Sequence, residues 1–137
     1  MIKKTLLLIV LVSAWINSNA QTMKTIEQLE NKYHNCLDSG INMKNCSVTY
    51  YNESDSLLNV VYTKLKAKLN STEQIKLKNE QLSWLKKRDL YFKKAYLEVK
   101  NEIPFPGSDD FEMIYTDKKS DFVMDRVKKL IVRLNKL

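Results

Sequence analysis

Apolar side chains recur along this chain at steps of three and four residues, with charged residues between them. That spacing is the mark of amphipathic helices. Ile26, Leu29, Tyr33, Cys36 and Leu37 make a first stripe, and Thr25 with Gln28 forms a capping box at its start. Gly40 suits the left-handed residue that ends such a helix. Tyr51, Leu58, Val61, Tyr62, Leu65 and Leu69 predict a second helix from about residue 46 or 47 to residue 70. Ser71 with Gln74 is another capping box, so a break is expected near 71. A third helix is predicted over 72–101. Leu77, Gln81, Trp84, Arg88, Tyr91, Ala95 and Val99 share one side of it, beside Ile75, Leu82, Leu85, Phe92 and Tyr96. The segment IPFPGSDD holds both prolines and one of the two glycines, which predicts a loop. A last helix is expected from about 116, turning Phe122, Val123, Val127, Leu130, Ile131, Leu134 and Leu137 inward.

These elements predict an all-α fold: a long antiparallel helical hairpin, a short N-terminal helix and a C-terminal helix packed on the hairpin. With so few glycines and prolines, the many tight turns of an all-β fold are out of reach. A short connection at 71 makes its two helices antiparallel. Facing residues then have numbers summing to about 143, twice the turn centre. Asp55 meets Arg88 in that register, Asn59 meets Trp84, and Tyr62 meets Gln81. With Asp89, these residues form a polar seam in an otherwise apolar contact. Arg88 is expected to cross to Asp55 as a bidentate pair beneath the Trp84 ring, with Lys86 and Lys87 turned to water.

The first twenty residues stand apart. Lys3 and Lys4 precede an apolar run from Leu6 to Ile16, and Ser18 and Ala20 are small residues at the spacing a signal peptidase requires. Residues 1–20 are therefore expected to be a signal peptide cleaved near Ala20, leaving 21–137 as a single domain in the periplasm or outside the cell. The run is too short to span a bilayer, which takes about 20 apolar residues. In such an oxidising compartment Cys36 and Cys46 are expected to form a disulfide, stabilising by roughly 2–3 kcal/mol.

The formal net charge is +7, of which Lys3 and Lys4 contribute two. Residues 64–100 hold 11 Lys and Arg against 4 Asp and Glu, so the excess lies on the hairpin. A basic face attracts anionic polymer or lipid headgroups, although lysines on a long helix commonly serve only as its solvated side. Other chemistry is thin. His34 lies two residues from Cys36, and on a helix the two face different ways. One histidine and two cysteines supply no zinc ligand set. Asp109 and Asp110 are sequence neighbours, not carboxylates facing each other across a cleft. No enzyme, cofactor or metal site is expected. Asn45, Asn52 and Asn70 head formal glycosylation sequons, and Asn45 and Asn70 serve turns equally well.

YHNC, then NCSVTYYNESDSLLNVVYTKL, then LKNEQLSWLKKRD resembles the exported LprI-like lysozyme inhibitor family. Cys36, Cys46, Asp55, Leu58, Asn59, Tyr62, Gln81, Trp84, Arg88 and Asp89 match that pattern in order and spacing. The resemblance extends over about residues 30–134. It implies a small envelope binding module, inhibiting a lysozyme or contacting another envelope protein by protein–protein contact; nucleic acid is not an expected partner. Two family cysteines are missing, at Phe92 and near Phe111. The two phenylalanines are expected to pack in their place, leaving residues 103–115 a loop held by packing alone. Net positive charge opposes encounter with basic lysozymes. Within GSDDFE, Asp109 and Asp110 are the acidic candidates for reaching a basic cleft, with Lys86 and Lys87 as further contact candidates. The alternative is a binder of anionic envelope polymer, acting through Lys64, Lys66, Lys68, Lys76, Lys78, Lys86, Lys87, Lys93 and Lys94.

Overall fold

The computed structural model describes residues 17–137. Residues 1–16, and with them most of the expected signal peptide, lie outside the described residues. Four helices follow: α1 (Asn17–Asp38), α2 (Met43–Ala67), α3 (Ser71–Glu102) and α4 (Asp109–Leu134). The chain is all-α, as its periodicity predicts.

Each boundary has a local cause. Helix α1 runs through Thr25 instead of starting there, because no proline or glycine in NSNAQTMK interrupts it. Gly40 takes φ 68°, ending the helix in the left-handed region, and Asn42 follows with φ 52°. Such a conformation is easiest for Gly and tolerated by Asn. The Cys36–Cys46 disulfide closes this corner, with Cα atoms 5.8 Å apart. At the next turn the cap is Asn70, one residue before the expected Ser71; its side chain accepts from the Glu73 N–H at 3.0 Å. Gln74 reaches backward instead, donating to the carbonyls of Lys66 at 3.1 Å and Leu69 at 3.0 Å. One side chain thus satisfies the Leu69 carbonyl and adds to the bond that the Lys66 carbonyl accepts from the Leu69 N–H at 3.2 Å.

Helix α4 starts seven residues before the expected 116. Ser108 caps it by accepting from the Phe111 N–H at 3.3 Å. Asp109, Asp110 and Glu112 fill its first turn, where carboxylates are favoured by the helix dipole. What looks like an acidic loop is a helix N-terminus, and the expected loop over 103–115 shrinks to 103–108. Phe111 is fully buried, against Tyr96 at 5.2 Å and Tyr115 at 6.1 Å. Phe92 packs elsewhere, against Tyr51, Tyr91 and Phe122. The two phenylalanines therefore do not replace a disulfide by pairing; each seats its own aromatic cluster.

Successive helices alternate in direction. Tyr51 and Phe92 face each other at 6.2 Å, a pair summing to 143, so the register between α2 and α3 is the expected one. Their backbones nonetheless hardly meet. Helix α4 packs on each of the other three and lies against α2 most extensively. The core consists mainly of Leu57, Leu58, Val61 and Leu65 of α2 against Val123, Val127, Leu130, Ile131 and Leu134 of α4. Ile26 closes it from α1 and Leu77 from α3.

Candidate functional site

Because α4 takes the central position, the polar seam is rearranged. Arg88 does not bond Asp55. Its guanidinium holds Asp89, with Nη2 at 2.8 Å and Nε at 3.1 Å, and lies 5.9 Å from the Trp84 ring and 5.7 Å from that of Phe92. Asp55 and Arg88 still approach the same point. Burial raises the Tyr51 pKa; the Asp55 charge adds to the rise and Arg88 opposes it. Between the helices stands Lys119 of α4, its ammonium 4.4 Å from the Tyr51 ring, 4.9 Å from Tyr115 and 5.8 Å from Phe92. Burial lowers its pKa. A cation from α4 thus stands against the Tyr51 and Phe92 rings, next to the place in which the expected pair would have closed.

Gln81 and Trp84 turn toward α4, not α2. Gln81 Oε1 accepts from Arg126 Nε at 3.1 Å, and the Trp84 ring stacks on Phe122 at 5.7 Å. Arg126 Cζ lies 6.0 Å from the same indole. Its Nη2 is buried without a hydrogen-bond partner among the described residues, and burial lowers the guanidinium pKa. Asn59 is exposed, Tyr62 half-buried, and no hydrogen bond among the described residues ties Asp55, Asn59 or Tyr62 to α3. Arg126 was missed because register was counted only around the first turn. Counting around 103–108 as well gives facing numbers summing to about 211, which sets Arg126 opposite residues 84 and 85.

Around this contact lies a groove of about 540 Å³, lined by Trp84, Lys87, Phe122, Arg126, Glu80 and Asp125, among others. Two ion pairs flank it, Arg133 with Glu80 at 2.8 Å and Lys129 with Asp125 at 2.7 Å. Most of its charge is internally compensated. Lys86 and Lys87 both point to solvent, as expected.

The opposite side of α4 has a different character. Tyr33 of α1 stacks on Tyr50 of α2, with centroids 4.5 Å apart and planes 7° from parallel. The Tyr33 hydroxyl donates to Asp117 at 2.6 Å. Burial raises both phenols to about 12, with the Asp117 bond adding to it for Tyr33 and the Glu30 charge for Tyr50. Partial desolvation, with Asp117 one turn away, raises the Asp121 carboxyl pKa. Glu30 pairs with Lys128 at 2.7 Å. At 100° per residue, Asp110, Asp117 and Asp121 fall within an arc of about 40° on α4. Asp109, one position off that arc, pairs with Lys44 at 2.7 Å. Lys128 continues the same arc, held by Glu30, so the acids share this side of α4 with a cation, while the lysine excess lies on α3.

No grouping of three or more His, Cys, Asp or Glu among the described residues can hold a metal ion. Both cysteines are bridged, and His34 is exposed beside the Tyr33 ring at 5.7 Å. The geometry supplies binding faces: an aromatic groove, an acidic crest and a basic helix. No described helix is long and apolar enough to cross a membrane.

A disulfide-clamped all-α bundle is the class that these features define. Residues 35–130 match the family of the lysozyme inhibitor LprI, and the chain belongs to that family. No curated protein and no solved structure matches it.

Proposed function

We propose that this protein is exported, loses residues 1–20 by cleavage near Ala20, and inhibits a lysozyme in the cell envelope by protein–protein contact. The family match over residues 35–130 carries this reading. The Cys36–Cys46 bridge supports it, since disulfides persist in oxidising compartments. The net charge of +5 left after cleavage, 21 basic against 16 acidic residues, opposes approach to a basic enzyme, but most of that excess lies on α3. A basic lysozyme would meet the crest of Asp110, Asp117 and Asp121, with Asp109 at its end, while α3 faces away. Complementary charge mainly speeds encounter, and the Tyr33–Tyr50 stack beneath the crest holds its base rigid.

The test is a cell-wall lysis assay with several lysozymes of differing net charge, run at low and physiological salt. Inhibition should be strongest for basic enzymes. It should weaken by roughly an order of magnitude when Asp110, Asp117 and Asp121 become Asn, in line with the loss of electrostatic steering. Failure to inhibit any lysozyme would refute the function. Inhibition indifferent to the three substitutions would leave the function standing and move the contact to another face.

A further inference from the structure

We propose that the outward face of α3 seats this protein on an anionic lipid surface. The inference goes beyond inhibition and uses a different side of the molecule. Four large apolar residues of α3 stand in water: Ile75 is 62% exposed, Leu82 48%, Leu90 68% and Leu97 59%. At 100° per residue they fall within an arc of about 80°, in a row roughly 33 Å long. Isolated exposed leucines are ordinary, but four in register along one helix are not. Lys86, Lys93 and Lys100 lie within the same strip, Lys78 lies about 40° beyond its edge, and all four are exposed. None of them has an ion-pair partner among the described residues, whereas Asp89, just outside the same edge of the strip as Lys78, is held by Arg88.

An apolar row flanked by unpaired lysines is the composition of a helix lying in a membrane interface. The leucines enter the acyl boundary and the long lysine stems carry their charges back to the headgroups. Beside its C-terminal end lies an open depression of about 370 Å³ lined by Phe92, Lys93, Tyr96, Leu97 and Tyr115. Tyrosines are at home at that depth. Charge selects the occupant. A second copy of this chain would set lysine against lysine. A soluble polyanion would use the lysines and leave the leucines without a role. The depression lies at one end of the row, not at its centre, where a protein interface seats its buried anchor. A flat anionic bilayer satisfies both residue types at once.

The test measures co-sedimentation with vesicles of phosphatidylcholine, with and without phosphatidylglycerol. The protein is recovered after export, its mass confirming loss of the leader, since the run from Leu6 to Ile16 would itself enter a bilayer. Binding is expected only to the anionic vesicles. Leu82→Gln with Leu90→Gln should weaken it roughly tenfold per leucine. Lys86→Gln with Lys93→Gln should weaken it roughly fivefold per lysine. These residues are exposed, so circular dichroism should show intact helices in both variants. Absence of vesicle binding overturns the proposal. Binding that ignores the leucines, or that a soluble polyanion matches, overturns it in favour of polymer binding. Capture of an acidic protein without vesicle binding overturns it in favour of a protein partner.

Discussion

Helices α3 and α4 come from the same lysine-rich half of the chain and differ sharply in use. Helix α3 has 32 residues and buries three side chains; α4 has 26 and buries nine. Length did not decide which helix became the centre. Helix α4 has neighbours on three sides and so can bury a broad apolar arc. Helix α3 packs mainly on α4, and Ile75, Leu82, Leu90 and Leu97 on its far side stay in water. The two helices also divide the chemistry. The inner one carries Asp117 and Asp121 and the half-buried cations Lys119 and Arg126; the outer one presents unpaired lysines.

Substitution should expose that division most strongly at the core. Leu130→Ala removes a buried side chain of α4 and should cost about 2–5 kcal/mol. Leu90→Ala, on the outside of α3, should stay within about 0.5 kcal/mol. Urea unfolding of the two variants checks the contrast, and equal losses would break it.

The next effect lies where the two helices touch. Gln81→Leu takes the partner from Arg126 Nε, leaving the half-buried guanidinium short of a second bond, and should cost about 1–3 kcal/mol. Adding Arg126→Met removes the stranded charge and should restore most of that loss. If the double variant is no better than the single one, Gln81 matters for some reason other than Arg126.

The smallest effect is electrostatic and belongs to the α1–α4 side. Tyr33 and Tyr50 ionise near 12 in the folded protein, against an ordinary value of 10.0. The folded state thus keeps protons that the unfolded chain releases. Their contribution to stability is intact below pH 10 and is lost as pH rises through about 12. A tyrosinate absorbance titration should show two late phenols. Replacing Asp117 with Asn should bring the Tyr33 transition earlier and leave Tyr50 nearly in place.

Much of this arrangement was legible in the residues. Gly40, the break at 71, the Cys36–Cys46 bridge and the register of Tyr51 against Phe92 all follow from local rules of turns, helix ends and hairpins. Two matters did not. SDD was read as loop because acids beside a glycine resemble a solvated turn, although Ser108 and the acids after it satisfy the requirements of a helix start equally well. The Asp55–Arg88 bond was expected because a two-helix register treats the hairpin as if nothing came between its arms. Helix α4 supplies Lys119 beside that place, and no pattern within α2 and α3 foretells it. Of the side chains that the register set on facing stripes, Gln81 and Trp84 turn to α4, Arg88 turns to Asp89, and Asn59 stays in water.

The central position of α4 also bears on the order in which the protein takes shape. Synthesis delivers residues 123–134 after the other three helices, and until they emerge α2 lacks its main opposing wall and α3 its main support. Closure of the bundle therefore waits on α4, and the earlier helices are expected to stay loose until it docks.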